Sequence, residues 1–510
     1  MLFNSSFFLF AFLPIVLGGF LALQQWDRSR FGLAWLVAAS LVFYAWAQPL
    51  FLVLLLASIL GNFSIGLWIQ DARSDRARRA WCATGVVLNL ALLAVFKYTG
   101  FAIEIATELG AENFRVEAFA LPLAISFFTF QQISYLSDTA HGRVSERSLL
   151  HYTLFVAFFP KLVAGPIVHH DEMLDQLHDL AERRVVARDV AVGLTLFSIG
   201  LFKKVILADA LAGRTGGLFD LAAAGVPLNF FEAWTAALGF SFQVYFDFSG
   251  YTDMALGLAR CFGIVLPLNF HSPYKATDIS QFWRRWHITL TRWLRLYLFI
   301  PISRGIMRRG GERWDTSAIV VGQIVTMGLC GLWHGAGWSF VVWGLLHGAM
   351  LVAYDGWTFA KRRLGLVGRL PAPIAVILAR ATLLAFLAAT FVVFRAADLG
   401  VAGELLRSMS GADGVFLAGT GSRLAATIGL EGGLLLVVLL AVVWYAPSSH
   451  EILGNDRPAL DFARLVSDPL EARWRWRPTS AWAVAALAAL LPGIYWILIE
   501  GYEEFIYRFF

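Results

Sequence analysis

Apolar runs of about 20 residues, the length that crosses a bilayer as a helix, alternate with short polar links along almost the whole chain. The runs lie near residues 7–25, 32–46, 50–69, 81–103, 118–137, 190–208, 232–256, 315–332, 338–356, 372–394, 424–446 and 478–499. They predict about twelve crossings. The stretch 151–168, HYTLFVAFFPKLVAGPIV, is too short and too interrupted for a clean span. Its Pro160, Lys161, Gly165 and Pro166 mark a re-entrant segment, which is tolerated only where it packs in protein or lines a wet cavity. Residues 283–303 are amphipathic, with Arg284, Arg285, Arg292 and Arg295 among Trp and Leu, and predict a tilted or interfacial helix. The first run, from Ser6 to about Gln25, has neither a basic leader nor a small-residue cleavage site and is expected to stay as a helix. The expected fold is an all-α integral membrane protein, one polytopic domain over 1–510.

Composition agrees with that pattern. The chain has 510 residues, 58% hydrophobic and 15% charged, with mean hydropathy +0.65. A soluble domain carries roughly 25% charged residues, so a soluble binding module is excluded. The net charge of +5 does not imply nucleic acid, because the basic residues sit in short links rather than on one face. Arg73, Arg76, Arg78 and Arg79 place the link 71–79 in the cytoplasm. Alternation from there also puts inside Arg183, Arg184 and Arg188; Arg304, Arg308, Arg309 and Arg313; Lys361, Arg362 and Arg363; and Arg473, Arg475 and Arg477. The link 104–117, with Glu104, Glu108, Glu112 and Glu117, falls outside, and so do both termini. Lys203 and Lys204 object, since they lie near the outer end of their span; snorkelling or an interior role accounts for them. Cys82, Cys261 and Cys330 show no pairing framework and are expected in the core.

Four polar groups interrupt the apolar pattern. Gln131, Gln132, Tyr135 and Asp138 fit interhelical hydrogen bonding. Asp247 and Asp253 stand six residues apart, share no helix face, and are expected to pair with the arginines of 284–295 or to line a polar passage. The link 269–281 holds Asn269, His271, Pro273, Lys275 and Asp278; Asp278 or Ser280 fits a helix N-cap, and His271 a loop histidine. The fourth group is His287, among tryptophans and arginines, and His334, in a Trp-His-Gly turn between two apolar runs. A lone histidine on an apolar face reads as a satisfied core residue, and His347 is read so. His334 differs because Gly331, Gly335 and Gly337 surround it and Trp333 and Trp338 flank it. Glycines permit a broken backbone, expected to open the side chain to a cavity. An imidazole, with an unperturbed pKa of about 6.5, can there take a proton from an attacking hydroxyl. No metal is expected at His334, because ligand spacings are absent around it.

An ordered set of motifs resembles the membrane-bound O-acyltransferase family, in its bacterial branch typified by the alginate O-acetylation membrane protein. Its pieces are FKYTGF (96–101), LPLAISFFTFQQISYLSD (121–138), FFPKLVAGPI (158–167), YFDFSGYTDMALGLARCFGI (245–264), NFHSPYKATDISQFWRRWHITLTRWLRLYLFIPI (269–302) and GLWHGAGWSFVVWGLLHG (331–348). The resemblance is strongest over a core of about 85–350, with 372–499 as C-terminal helices. It implies a ring of helices around a thin core where cytosolic and external funnels meet, with the invariant histidine at His334 and the second at His287. The last residues, FIYRFF (505–510), resemble the branch's C-terminal acyl-acceptor motif, Phe505, Tyr507 and Phe510. Read alone they fit an aromatic interface anchor; beside the histidines they read as an external acceptor. A phenol, with a pKa of about 10, is easier to deprotonate than an alkyl alcohol.

The function implied is transfer of acetyl groups from cytosolic acetyl-CoA across the bacterial inner membrane for O-acetylation of an exopolysaccharide such as alginate. His334 is the expected base and His287 orients it or stabilises developing charge; Tyr507 is the transient acceptor, serving a periplasmic serine-esterase-like partner. Lys161, Arg284 and Arg285 are expected to meet the phosphates of acetyl-CoA, with Asn269, Asp278, Trp283 and Trp333 completing the binding set. No resident cofactor, metal or nucleic acid is expected; membrane lipid surrounds the chain. Alternatives are D-alanyl or acetyl transfer to teichoic acid, cellulose or peptidoglycan, or transport of a small anion or lipid-linked sugar. Transport predicts inverted repeats with paired broken helices, whereas the glycine-framed histidine occurs in one half only.

Overall fold

The computed structural model describes residues 1–25, 29–110, 119–180, 184–311, 314–365, 370–412, 414, 429–465, 474–501 and 503–506. Tyr507, Phe510, Glu112, Glu117, Arg183, Arg313 and Arg473 lie outside them. The described chain is helical, and a single bridge, Pro267 to Leu460, is the sole β-type pairing found in it. Among the described residues seven helices are long and apolar enough to cross a membrane, and Phe31–Ala47 and Gly429–Tyr445 are shorter apolar helices. That is fewer than the twelve expected. Ile125–Ala140 is only 16 residues long and carries buried glutamines and an aspartate. Phe230–Cys261 carries Glu232, Asp247, Asp253 and Arg260.

The chain packs as two compact units. The first comprises Met1–Val205, Gly250–Leu268 and the part from Ser449 onward. Its helices approach closely where glycine removes the side chain, the usual device when lipid supplies no hydrophobic drive. A Cβ on Gly200 would lie 2.6 Å from Gly250 O, and one on Gly257 2.5 Å from Gly193 O. The expected re-entrant segment is present as a broken helix. Leu149–Ala157 stops at Phe158, a single turn Phe159–Leu162 follows, and residues 152–170 are all buried. Gln131 and Gln132 bond between helices as expected: Lys161 Nζ donates to Gln131 Oε1 at 2.7 Å, and Gln132 Nε2 donates to Ser58 Oγ at 3.0 Å.

Asp253 departs from expectation. Its carboxylate pairs with Lys203 Nζ at 2.7 Å and lies 3.1 Å from His450 Nε2, rather than meeting the arginines of 284–295. The reason is local: Lys203 and Asp253 face each other across the glycine-packed crossing of Gly200 and Gly250. Lys203 therefore pairs within the protein, the interior role offered for it above.

The second unit comprises Ile206–Ser249 and Asn269–Ser448. Its centre is the helical hairpin Asp315–His334 and Trp338–Arg363, with Ala372–Arg395 against it. A Cβ on Gly331 would sit 2.0 Å from Phe340 O, and one on Gly344 2.1 Å from Met327 O. The single amphipathic helix expected over 283–303 is instead broken. Ile279–Trp283 ends at a turn, His287 takes a left-handed φ of 41°, and Ile288–Leu294 restarts the helix. A non-glycine residue there is uncommon and is held by its surroundings.

Three substitutions test this packing. Gly331→Val forces the hairpin apart and is expected to destabilise the protein by about 1–3 kcal/mol, whereas Gly356→Ala, where nothing lies within 4 Å, leaves the midpoint of detergent thermal unfolding unchanged or higher. Asp253→Asn leaves the partly buried Lys203 ammonium without its counter-charge and is expected to cost about 1–3 kcal/mol by the same measurement.

Candidate active site

His287 is fully buried in the second unit, and the preceding link positions it. Asp278 caps Ile279–Trp283 by accepting from Gln281 N at 2.7 Å. The link then pairs with the turn at 284–288, His271 N donating to Arg285 O at 2.9 Å and Ile288 N to Asn269 O at 2.9 Å. This clamp brings Asn269 Oδ1 within 3.0 Å of His287 Nδ1, while Thr289 Oγ1 donates to the same oxygen at 2.8 Å and Thr289 N at 3.4 Å. An oxygen already taking hydrogens from a hydroxyl and an amide acts as acceptor, so Nδ1 carries the imidazole proton. Nε2 is left with its lone pair and, among the described residues, no hydrogen-bond partner. That nitrogen can accept a proton or a hydrogen bond but cannot donate one to an oxyanion. The tautomer thus favours the orienting role considered for His287 over charge stabilisation.

His334 is the last residue of its helix, and the extended Gly335, with φ −161°, ends the hydrogen-bonded turns. The side chain is 2% exposed. The expectation that the glycines open it to a cavity is not met, because Gly331 serves helix–helix contact and Phe340 fills the space over Gly335. The ring of His334 lies 4.8 Å from Trp333, 5.2 Å from Trp343 and 5.6 Å from Phe394. Trp333 also lies 6.2 Å from His287, so one indole stands beside both histidines. His347 shares Trp343 at 4.7 Å and bonds Thr390 Oγ1 through Nε2 at 3.1 Å, but its buried Nδ1 has no hydrogen-bond partner among the described residues, so it is only half satisfied as a core residue.

The other predicted residues separate. Trp283 is buried 5.4 Å from the His347 ring. Arg284 is exposed and donates to Ser280 Oγ at 2.7 Å; Arg285 is half-buried and donates to His271 O at 3.4 Å. Lys161 belongs to the first unit, is fully buried and is held by Gln131. The sequence places Asn269 in the expected binding set and gives Thr289 no role. Partners 18 and 20 residues from Asn269 leave no periodic signal.

Residues 503–505 are held within the first unit. Asn4 Nδ2 donates to Glu503 O at 3.2 Å and Lys204 Nζ to Glu504 O at 3.4 Å. Phe505 is 2% exposed and stacks on Tyr251 at 4.6 Å, which in turn stacks on Phe3 at 4.8 Å. Phe505 is therefore seated in protein rather than in a lipid-facing anchor.

Comparison with known proteins finds relatives over most of the chain. The membrane-bound O-acyltransferase family model matches residues 30–394. The chain is 42% identical over 443 residues to a peptidoglycan O-acetyltransferase of Helicobacter pylori, covering 82% of this chain and 81% of that one. It is 39% identical over 418 residues to a probable alginate O-acetylase of Azotobacter vinelandii, covering 80% and 78%. A teichoic acid D-alanyltransferase of Streptococcus thermophilus is 28% identical over 251 residues, covering 47% and 58%. This multi-pass membrane protein belongs to the membrane-bound O-acyltransferase family and is an O-acyltransferase.

Proposed function

We propose that the chain moves acetyl groups from cytosolic acetyl-CoA across the bacterial inner membrane for O-acetylation of an envelope polymer. The observation that carries this reading is the pair of buried histidines flanking Trp333, one of them with its tautomer set by Asn269. His334 acts as base and removes the proton of the attacking hydroxyl. The oxygen attacks the thioester carbonyl, the C–S bond breaks, and the departing thiolate takes the proton back from the imidazole. His287 Nε2, an acceptor, takes a hydrogen bond from another N–H or O–H of the bound substrates and so helps to orient them. Arg284 and Arg285, at or near the surface, can meet the phosphates of the donor, a role that the buried, bonded Lys161 does not suit as placed. Asp278 acts through the clamp as a helix cap, while Trp283 and Trp333 wall the histidines.

Tyr507 is the proposed transient acceptor. Residues 503–505, held by Asn4, Lys204 and Tyr251, fix the chain just before it, and the contact of Asn4 with Glu503 suits two termini on one side, here read as periplasmic. An aryl ester retains more transfer potential than a serine ester, so the acetyl group can pass downhill to a periplasmic serine-esterase-like partner and then to the polymer. The relatives favour acetyl over D-alanyl transfer, since those named for O-acetylation cover about four-fifths of the chain and the D-alanyl one under half. A polysaccharide such as alginate and peptidoglycan are the two polymers those names offer, and the 42% identity supports peptidoglycan as a second reading.

Three variants test the base and its support, read as CoA release from acetyl-CoA by purified protein at equal folded yield. His334→Ala is expected to lower the rate by roughly 100-fold or more; retained activity sinks the reading. Asn269→Ala, which frees the His287 tautomer, is expected to slow transfer by roughly 10-fold, and Asn269→Asp, which keeps an acceptor oxygen, to recover most of it.

A further inference from the structure

A second cluster of titratable side chains lies in the first unit, outside the histidine site. Glu146, His151 and His178 each point a ligand-type atom at a common point, and the three atoms lie within 4.8 Å of one another. Glu146 is 3% exposed, and its Oε2 stands 3.6 Å from His151 Nδ1 and 3.5 Å from His178 Nε2. Both separations exceed the hydrogen-bond range of about 2.7–3.2 Å, so neither imidazole satisfies the carboxylate. Among the described residues His151 Nδ1 has no hydrogen-bond partner. Two nitrogens and an oxygen at about 2.0–2.1 Å from a tetrahedral cation would stand about 3.3 Å apart, close to what is found.

The surroundings are those of a built ligand set. Ser148 N donates to Glu146 Oε1 at 2.5 Å and leaves Oε2 facing the imidazoles, the outer-shell support that ligating carboxylates commonly have. The same serine caps the helix that carries His151, its Oγ accepting from His151 N at 3.3 Å. Gln70 Nε2 donates to Glu146 O at 3.1 Å, and Arg147 pairs with Asp71 at 2.5 Å, which pins the loop to the end of Pro49–Gln70. His178 enters from the amphipathic helix His170–Leu180 with its side chain 58% exposed, so the point of convergence is reachable from solvent. The rings of His151 and His178 meet edge to face at 4.5 Å and 85°.

We propose that Glu146, His151 and His178 bind one divalent transition-metal ion of the zinc class, with the remaining coordination position open to water. Two imidazoles and a carboxylate are borderline-to-hard ligands that suit such an ion better than calcium or magnesium, which take oxygen sets. The ion neutralises the buried carboxylate and ties three pieces of chain together: the loop around residue 146, the start of Leu149–Ala157 and the helix His170–Leu180. Those two helices bracket the broken, fully buried segment, so the ion ties its two ends together. Glu146, His151 and His178 stand five and 27 residues apart, so no local spacing announces the set.

The test uses the full chain in detergent, purified through a tag without histidine, stripped with a chelator and titrated with Zn2+ against a chromophoric competitor. The expected result is about one tight equivalent, with cobalt substitution giving the visible bands of a four-coordinate site and added Zn2+ raising the unfolding midpoint. His178→Ala, at an exposed position that should leave the fold intact, and Glu146→Gln are each expected to lose the tight equivalent and the cobalt bands. His141→Ala, an exposed neighbouring histidine, is expected to keep both. A wild-type chain that binds Zn2+ no more tightly than His178→Ala, or equal loss in His141→Ala, overturns the proposal.

Discussion

One oxygen, Asn269 Oδ1, sets the arrangement at the centre of the second unit. It takes hydrogens from His287 Nδ1, Thr289 Oγ1 and Thr289 N. In a fully buried pocket each of those donors would be costly to leave unmet. Satisfying all three fixes the left-handed turn at 287, breaks what would otherwise be a continuous amphipathic helix, and turns Nε2 away from Asn269 with its lone pair unused. The hairpin carrying His334 is placed by a different means. Gly331 and Gly344 let its two helices touch through their backbones, and the turn at Gly335 ends the first helix directly after the histidine. Polar satisfaction positions one imidazole, and the absence of side chains positions the other.

Much of this was legible in the sequence, because burial in lipid imposes a length and a composition on every spanning segment. The helical class, the broken segment at 151–168, the cap at Asp278 and the interhelical role of Gln131 and Gln132 follow from apolar runs, proline and glycine placement, and the cost of unpaired polar groups. The resemblance placed His287 and His334 together, and the structure sets Trp333 beside both.

What was not legible depends on contacts between distant parts of the chain. Asp253 is expected to pair with the arginines of 284–295 or to line a polar passage, whereas its partners are Lys203 and His450, 50 positions before it and nearly 200 after it in sequence. The break at His287 needs an acceptor 18 residues upstream, which helical periodicity cannot register. The glycines around His334 were read as a licence for an open cavity; they are occupied by Phe340 and by helix contact, and the histidine is buried. Phe230–Cys261 is one continuous helix over a predicted span, and its buried acids keep it below the apolar level of the candidate membrane spans.

The central claim is that acetyl passes through the chain's own C-terminal tyrosine on its way out, loaded by His334. The most direct measurement incubates the purified protein with radiolabelled acetyl-CoA and maps the label by peptide mass spectrometry, with Tyr507→Phe and His334→Ala in parallel. The account predicts label on the C-terminal peptide at Tyr507, absent in both variants. Turnover that His334→Ala abolishes while no label reaches Tyr507 would contradict it, and the acetyl group would then pass directly to a partner.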